Sequence, residues 1–296
     1  MATITLDNDL REATNLAVRK LPAVSITDTD LTPFRQALGN LSGRPREALD
    51  RVAGFCRSLL HQNGYVHLRG LELMPDVRGI LALGERLGEV FTDLHQQSTI
   101  VVEASPTVGS GLQGNQTEAL FLHTDFAMLD QPPAVSMIHC RQPDPMGCKF
   151  GQNGVSVAQH IVSSLFGSEL LESFFTVPLP FGGRTPSGED VILYSPVLIK
   201  AERGALTGVR FHPSRIHHGF RLLGRDASCK ETEVLRLFLQ AAKQVRIDLA
   251  LEPGDVLLVN NRTALHDRTR CSLELGLTDI RSRVSHILFV QEIAPA

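Results

Sequence analysis

From about residue 98 onward the chain is a succession of short β-rich runs separated by Gly/Pro turns, and this rhythm narrows the fold more than any other feature. The runs are Thr99–Glu103, Leu120–Asp125, Ala134–Cys140, Val191–Leu198, Val256–Val259 and Val284–Val290. Short strands at this spacing predict a sandwich or jelly roll. Two helices are expected to interrupt the pattern, at Ser156–Leu165 and Glu231–Arg246. In the second, Val234, Leu237, Phe238, Ala241 and Val245 share one face.

The first third of the chain reads differently. An extended segment is expected near Ala23–Ile26. Leu49, Val52, Cys56, Leu59 and Leu60 recur at helical spacing over residues 45–62, and Gly64 follows as a stop signal. Tyr65–Gly70 alternates as a short strand. A second helix follows Pro75, with Ile80, Leu83, Gly84 and Leu87 inward. No repeat, low-complexity tract or linker divides the 296 residues. The expectation is therefore one domain over 1–296, mainly β with flanking helices, carrying a helical N-terminal part and a mid-chain insertion.

Composition removes several functional classes. A hydrophobic fraction of 43% supplies a substantial core, while the formal charge of -3 comes with no basic stripe, which argues against nucleic acid and anionic membranes as partners. No apolar run approaches the roughly 20 residues of a membrane span. The polar start MATITLDNDLREATN lacks the pattern of a secretory signal, and the five cysteines are odd in number without a C-x-x-C pair. Both features predict a cytoplasmic protein with reduced thiols. Cys140 and Cys148 match no common zinc spacing.

Chemistry concentrates in Leu120-Phe121-Leu122-His123-Thr124-Asp125. Residues two apart on a strand point to one side, so His123 and Asp125 are expected to reach one metal ion together. The best candidate for the third ligand is His266, which follows the turn and buried strand of Leu251–Asn261. Two histidines and a carboxylate make the facial triad of non-haem Fe(II) oxygenases and leave coordination positions open on one face. By itself H-x-D recurs by chance, and a lone histidine is more often a satisfied core residue. The surrounding sequence is what adds weight.

That sequence reads HTDFAMLDQPPAVSMIHC over His123–Cys140 and LEPGDVLLVNNRTALHDRTRC over Leu251–Cys271. Both segments, with Asn63–Gly70 before them, resemble in the same order the motifs of the taurine dioxygenase and clavaminate synthase-like family. The resemblance runs from about residue 50 to 290. It implies a double-stranded β-helix (jelly roll) and an Fe(II)- and 2-oxoglutarate-dependent dioxygenase with His123, Asp125 and His266 on the metal. It further implies hydroxylation, or another oxidation, of an unactivated C–H bond in a small polar metabolite such as a free or carrier-bound amino acid. O2 is the second small-molecule partner. The carboxylate at Asp125 disfavours halogenation.

The same resemblance places an arginine after the distal histidine to bind the far carboxylate of 2-oxoglutarate. Arg283 fits the Arg-then-apolar pattern better than Arg281, and the two would share a face. A Ser/Thr that the family puts near position 150 is replaced by Phe150, with Gln152, Asn153 or the loop backbone as substitutes. For the primary substrate the resemblance points to Arg210, in a segment where His212 stands in place of an acid. The polar loop Gly111–Glu118 adds Gln116 as a candidate contact. His217 and His218, adjacent on the chain, are poor partners for one ion. Two rival readings remain: a non-catalytic binding or regulatory protein on the same scaffold, favoured by Phe150, and a zinc hydrolase, for which no general base or nucleophile motif appears.

Overall fold

The short runs assemble into two facing sheets in the computed structural model, which describes residues 2–92, 99–107, 113–168, 170–185, 187–201, 204–276 and 280–294. The larger sheet has the order Thr3–Thr5, Tyr65–Arg69, Val256–Asn260, Val135–Gln142, Val284–Ile293, Gly88–Val90, and Val102–Ala104 also pairs with Val284–Ile293. The smaller sheet has the order Ile247–Leu249, Asn153–Val157, Ala264–Arg268, Leu120–His123. Apart from the parallel contact of Thr3–Thr5 with Tyr65–Arg69, the pairs within both sheets are antiparallel. This is the mainly β fold with flanking helices that the sequence predicts.

Strand alternation explains how one chain fills three layers. On Val256–Asn260, Val256 and Leu258 point to a helical layer, while Leu257 and Val259 point to the smaller sheet. The helices Asn8–Arg19, Thr32–Gly39, Gly43–Asn63 and Arg78–Leu87 form that layer, sealing the outer face of the larger sheet with residues such as Val18, Phe34, Leu49, Leu60 and Leu83. The smaller sheet is covered outside by the mid-chain insertion. There Phe174, Phe181, Phe211 and Phe238 bury Leu122 and Leu265. Between the sheets, Tyr65, Val155, Val157, Leu257 and Ala264 pack one end. The other end stays open, and the functional residues gather there.

Several elements depart from the sequence reading. The helix expected over Ser156–Leu165 covers only Ala158–Ser164, because Asn153–Val157 is a fully buried strand of the smaller sheet. A short apolar run of this kind does not distinguish the two states by periodicity. Val191–Leu198 divides into Asp190–Ser195 and the start of Leu198–Lys200, with Pro196 between them. The helices Asn8–Arg19, Thr32–Gly39 and Pro213–Leu222 are additional to those the sequence pattern predicts.

The predicted stop at Gly64 is a left-handed residue with φ 74°, ending the Gly43–Asn63 helix and starting the adjacent strand. A Cβ there would stand 3.2 Å from Val157 Cγ1. Gly64→Ala should therefore lower the unfolding free energy by about 1–2 kcal/mol, measured by urea denaturation. An unchanged midpoint would show that this turn relaxes freely.

Candidate metal centre

His123 and His266 are brought together by strand register. They sit directly opposite each other where Leu120–His123 pairs with Ala264–Arg268, and their ring centroids are 4.4 Å apart. Leu122 and Leu265, one residue earlier on each strand, are buried in the outer layer, so both imidazoles point inward. His266 thus lies within a strand rather than just beyond one.

Asp125 reaches the site differently from the strand argument. The strand ends at His123, and Asp125 begins a turn in which Phe126 has φ 52°. A left-handed phenylalanine is strained, by about 1–2 kcal/mol. Its ring is fixed edge-on between Phe91 (4.9 Å) and Phe289 (5.0 Å). Asn261 completes the clamp. Its Oδ1 accepts from Asp125 N (2.7 Å), and its Nδ2 donates to Asp125 O (3.0 Å) and Pro133 O (2.9 Å).

One ligand atom from each of His123, Asp125 and His266 falls within 4.8 Å of the others. The Nε2 atoms stand 3.6 Å (His123) and 3.4 Å (His266) from the two carboxylate oxygens of Asp125. These separations exceed the usual N–H···O range and leave room for an ion between the groups. The His123 Nδ1 faces Phe121 O at 2.7 Å, which turns Nε2 toward the centre, and Ser136 Oγ donates to Asp125 Oδ2 at 2.6 Å. Such outer contacts fix ligand orientation.

Charges follow from burial and proximity. Burial favours a protonated Asp125, yet His266, His123 and the Ser136 hydroxyl outweigh it and hold the carboxyl well below its ordinary range. Burial likewise opposes charge on His123, but Asp125 and the Phe121 carbonyl raise its pKa. Burial wins at His266, pushed down to about 4. An anionic carboxylate beside imidazoles suits a divalent cation, which would displace the proton that Asp125 attracts to His123.

The triad opens into a cavity of about 430 Å³ walled by Leu120, Met128, Ile138, Ile287 and Phe289. Arg283 lines it and is 4% exposed, and its Nη2 donates to Asn153 Oδ1 at 2.8 Å. Asn153, one of the anticipated substitutes, therefore stands where a partner to this arginine is needed. Phe150 lies outside the cavity, in a surface depression, so the aromatic residue that favoured a non-catalytic reading does not touch this site.

Three other expectations are corrected. Arg281 is exposed on the small Glu274–Leu275/Ile280–Arg281 hairpin, 4.0 Å from Glu274, and does not share a face with Arg283 because the long strand begins only at Val284. Arg210 is buried and donates to the carbonyls of Ala127 (2.6 Å), Leu129 and Asp130 (3.1 Å), so it holds the loop after the metal turn instead of lining the cavity. Gln116 lines the surface depression with Phe150, and its carbonyl accepts from Arg268. Gly111 and Leu112 of that loop lie outside the described residues. His217 is exposed in a groove between helices, and His218 faces Arg221 Nη2 at 2.7 Å, so the adjacent pair makes no ligand set.

Residues that the sequence did not single out also converge here. Arg268 spans three carbonyls, those of Gly114, Gln116 and Glu118, tying one wall to the strand of His266. Arg246 holds Asp267 at 2.8 Å. Arg215 enters the cavity from the Pro213–Leu222 helix. Arg268 belongs to the recognised H-D-R-T run, but nothing local marks Arg215, which reaches the site through the fold of the insertion.

The model of the taurine catabolism dioxygenase TauD, TfdA family matches residues 27–274. The chain belongs to that family. The match stops short of Arg283. Among solved structures, an asparagine oxygenase in complex with Fe(II), 2S,3S-3-hydroxyasparagine and succinate aligns with TM-score 0.75 at 20% identity, covering 98% of this chain and 93% of that one. The non-heme iron oxygenase OrfP in complex with Fe and alpha-ketoglutaric acid aligns with TM-score 0.69 at 17% identity, covering 97% and 93%. PvcB from Pseudomonas aeruginosa aligns with TM-score 0.58 at 18% identity, covering 80% and 79%. These likenesses establish the double-stranded β-helix. No curated protein matches the sequence. Among the described residues no helix is long and apolar enough to cross a membrane.

Two outcomes test this geometry. Asn261→Ala should cost about 1–3 kcal/mol of stability and weaken Fe(II) binding in an anaerobic titration, because the Asp125 turn loses its clamp. Unaltered iron affinity would show that Phe126 alone holds the turn. The second outcome is pH dependence of the metal-free protein. Burial pushes His139 down to about 3, His212 to about 3 and His266 to about 4. An unfolded histidine takes up its proton near pH 6.5, so this contribution is full above that pH and is lost as pH falls toward about 4. His123 opposes the trend with its raised pKa. The unfolding temperature should decline from pH 7 to pH 4, and a flat profile in chelator would contradict it.

Proposed function

We propose that the chain is an Fe(II)- and 2-oxoglutarate-dependent oxygenase acting on a C–H bond of a small polar metabolite. The observation that carries this reading is the convergence of His123, Asp125 and His266 on one cavity that also contains the buried Arg283. Iron with 2-oxoglutarate supplies O2 activation and the oxidant for C–H cleavage when bound. The protein's own groups hold, orient and enclose. His123 and His266 offer Nε2 from facing strands, and Asp125 offers a carboxylate positioned by Asn261 and Ser136.

Arg283 suits the distal carboxylate of 2-oxoglutarate because a guanidinium pairs with a carboxylate in fixed geometry. Asn153 holds one of its nitrogens and leaves other donors for the ligand. Gly151 lies against its stem with φ 60°, and a Cβ there would stand 2.7 Å from Arg283 Cδ. The apolar walls keep water from the oxidising centre. The similar asparagine oxygenase is in complex with 2S,3S-3-hydroxyasparagine and a mutant of the similar OrfP with (3S)-hydroxy-L-Arg, which supports an amino acid as the substrate class. A cytoplasmic setting belongs to the same reading and rests on the scattered cysteines.

The anaerobic protein given Fe(II) and saturating 2-oxoglutarate should develop the weak visible charge-transfer band of a chelated keto acid. His266→Ala should abolish it. Arg283→Ala should weaken 2-oxoglutarate binding by about 2–5 kcal/mol, whereas Arg281→Ala should leave it unchanged. Wild-type protein that binds iron but forms no band would rule out the co-substrate.

A further inference from the structure

One guanidinium in the cavity has no task in the metal centre or in the proposed binding of 2-oxoglutarate. Arg215 is half-buried in the same cavity as His123, Asp125 and His266. Its side chain makes no hydrogen bond or ion pair among the described residues, and burial alone shifts its pKa, downward, with no carboxylate beside it to counter the shift. The other cavity arginines differ: Arg268 is committed to three backbone carbonyls, and Arg283 is anchored by Asn153.

The cavity's carboxylates are committed elsewhere. Asp125 belongs to the triad, Asp267 pairs with Arg246 at 2.8 Å, and Glu103 lies 3.6 Å from His286. A guanidinium keeps its charge at any working pH, and leaving it partly desolvated without an acceptor is costly. An anion arriving from outside would satisfy it.

His212 adds a second donor. Its ring stands edge-on to His123 at 5.1 Å, and its Nδ1 accepts from Arg215 N at 3.4 Å. That contact leaves the ring hydrogen on Nε2. His212 also stands where the resembled family carries an acid. This side of the cavity thus presents donors and positive charge, with His212 in place of an acid.

We propose that Arg215, with His212 beside it, binds a carboxylate of the primary substrate and thereby selects which carbon faces the metal. The inference rests on the functional reading above, since it takes the cavity to be the oxygenase active site. It narrows the substrate class to carboxylic acids, amino acids among them, held by the acid end.

Propionate is a suitable minimal probe, with propionamide as its neutral counterpart. Anaerobic protein saturated with Fe(II) and 2-oxoglutarate would be titrated with each, following paramagnetic broadening of the probe's proton signals and, separately, the visible charge-transfer band. Propionate should show saturable broadening and propionamide should not. Arg215→Gln should weaken propionate binding at least about tenfold, the loss expected for a charge-assisted contact, with Arg215→Lys between. Both variants should retain the band at wild-type 2-oxoglutarate concentrations, which also shows that they fold. Equal broadening by propionate in wild type and Arg215→Gln, absent or unsaturable propionate binding in wild type, or equal binding of propionamide would overturn the proposal. Loss of the 2-oxoglutarate band in a folded Arg215→Gln protein would overturn it too, by assigning Arg215 to the co-substrate. Absence of the band in wild type would defeat the functional reading first, and this inference with it.

Discussion

The pairing of Leu120–His123 with Ala264–Arg268 is the constraint on which the site depends. Antiparallel register sets His123 opposite His266, while Leu122 and Leu265 anchor the outer face in the apolar layer of the insertion. A slip by one residue on either strand would send an imidazole into that layer and a leucine into the cavity. The energy that enforces the metal geometry therefore comes from apolar burial behind the sheet, and the ligands inherit it. Phe174, Phe181, Phe211 and Phe238 are each almost wholly buried there, so the insertion supports the metal centre as well as covering the sheet.

The third ligand follows another logic. Asp125 is aimed by a strained turn, and two independent restraints oppose the strain. The Phe126 ring is trapped between Phe91 and Phe289, which belong to elements distant in sequence, and Asn261 replaces the backbone contacts that a regular strand would have supplied. Asn261 follows the Val256–Asn260 strand, which pairs with the strand carrying Ser136. Both polar contacts to Asp125 consequently come from the rigid larger sheet. The two imidazoles come from the smaller sheet, so the centre joins the two halves of the barrel.

This division explains what could be read from the sequence. His123 and Asp125 were legible as a pair, though for an incomplete reason: the strand stops between them, and a turn residue with positive φ leaves no pattern that hydrophobic periodicity detects. His266 was legible from the buried strand before it and from the resemblance. Arg283 was separable from Arg281 by the apolar run that follows it, and the structure puts the two on opposite sides of a strand break. Arg210 misled because a buried arginine that binds carbonyls and one that binds a ligand look alike in sequence. The strand Asn153–Val157 was missed for the corresponding reason, since a run buried on every side lacks the alternation that identifies a half-exposed strand. Arg215 was invisible because its position in the cavity depends on how the insertion folds back over the smaller sheet.

Charge balance links these residues into one site. A divalent ion with Asp125 carries one net positive charge, and Arg283 adds another. In the proposed binding mode they would together match the two negative charges of 2-oxoglutarate. Asp267 is paired with Arg246, and Arg268 gives its two terminal nitrogens to three backbone carbonyls. Arg215 remains without a hydrogen-bond or ion-pair partner among the described residues. In a cavity with walls such as Ile138, Ile287 and Phe289 the local dielectric is low, and a single unpaired charge has long reach. Its field favours a carboxylate over a neutral or cationic group at that end of the cavity.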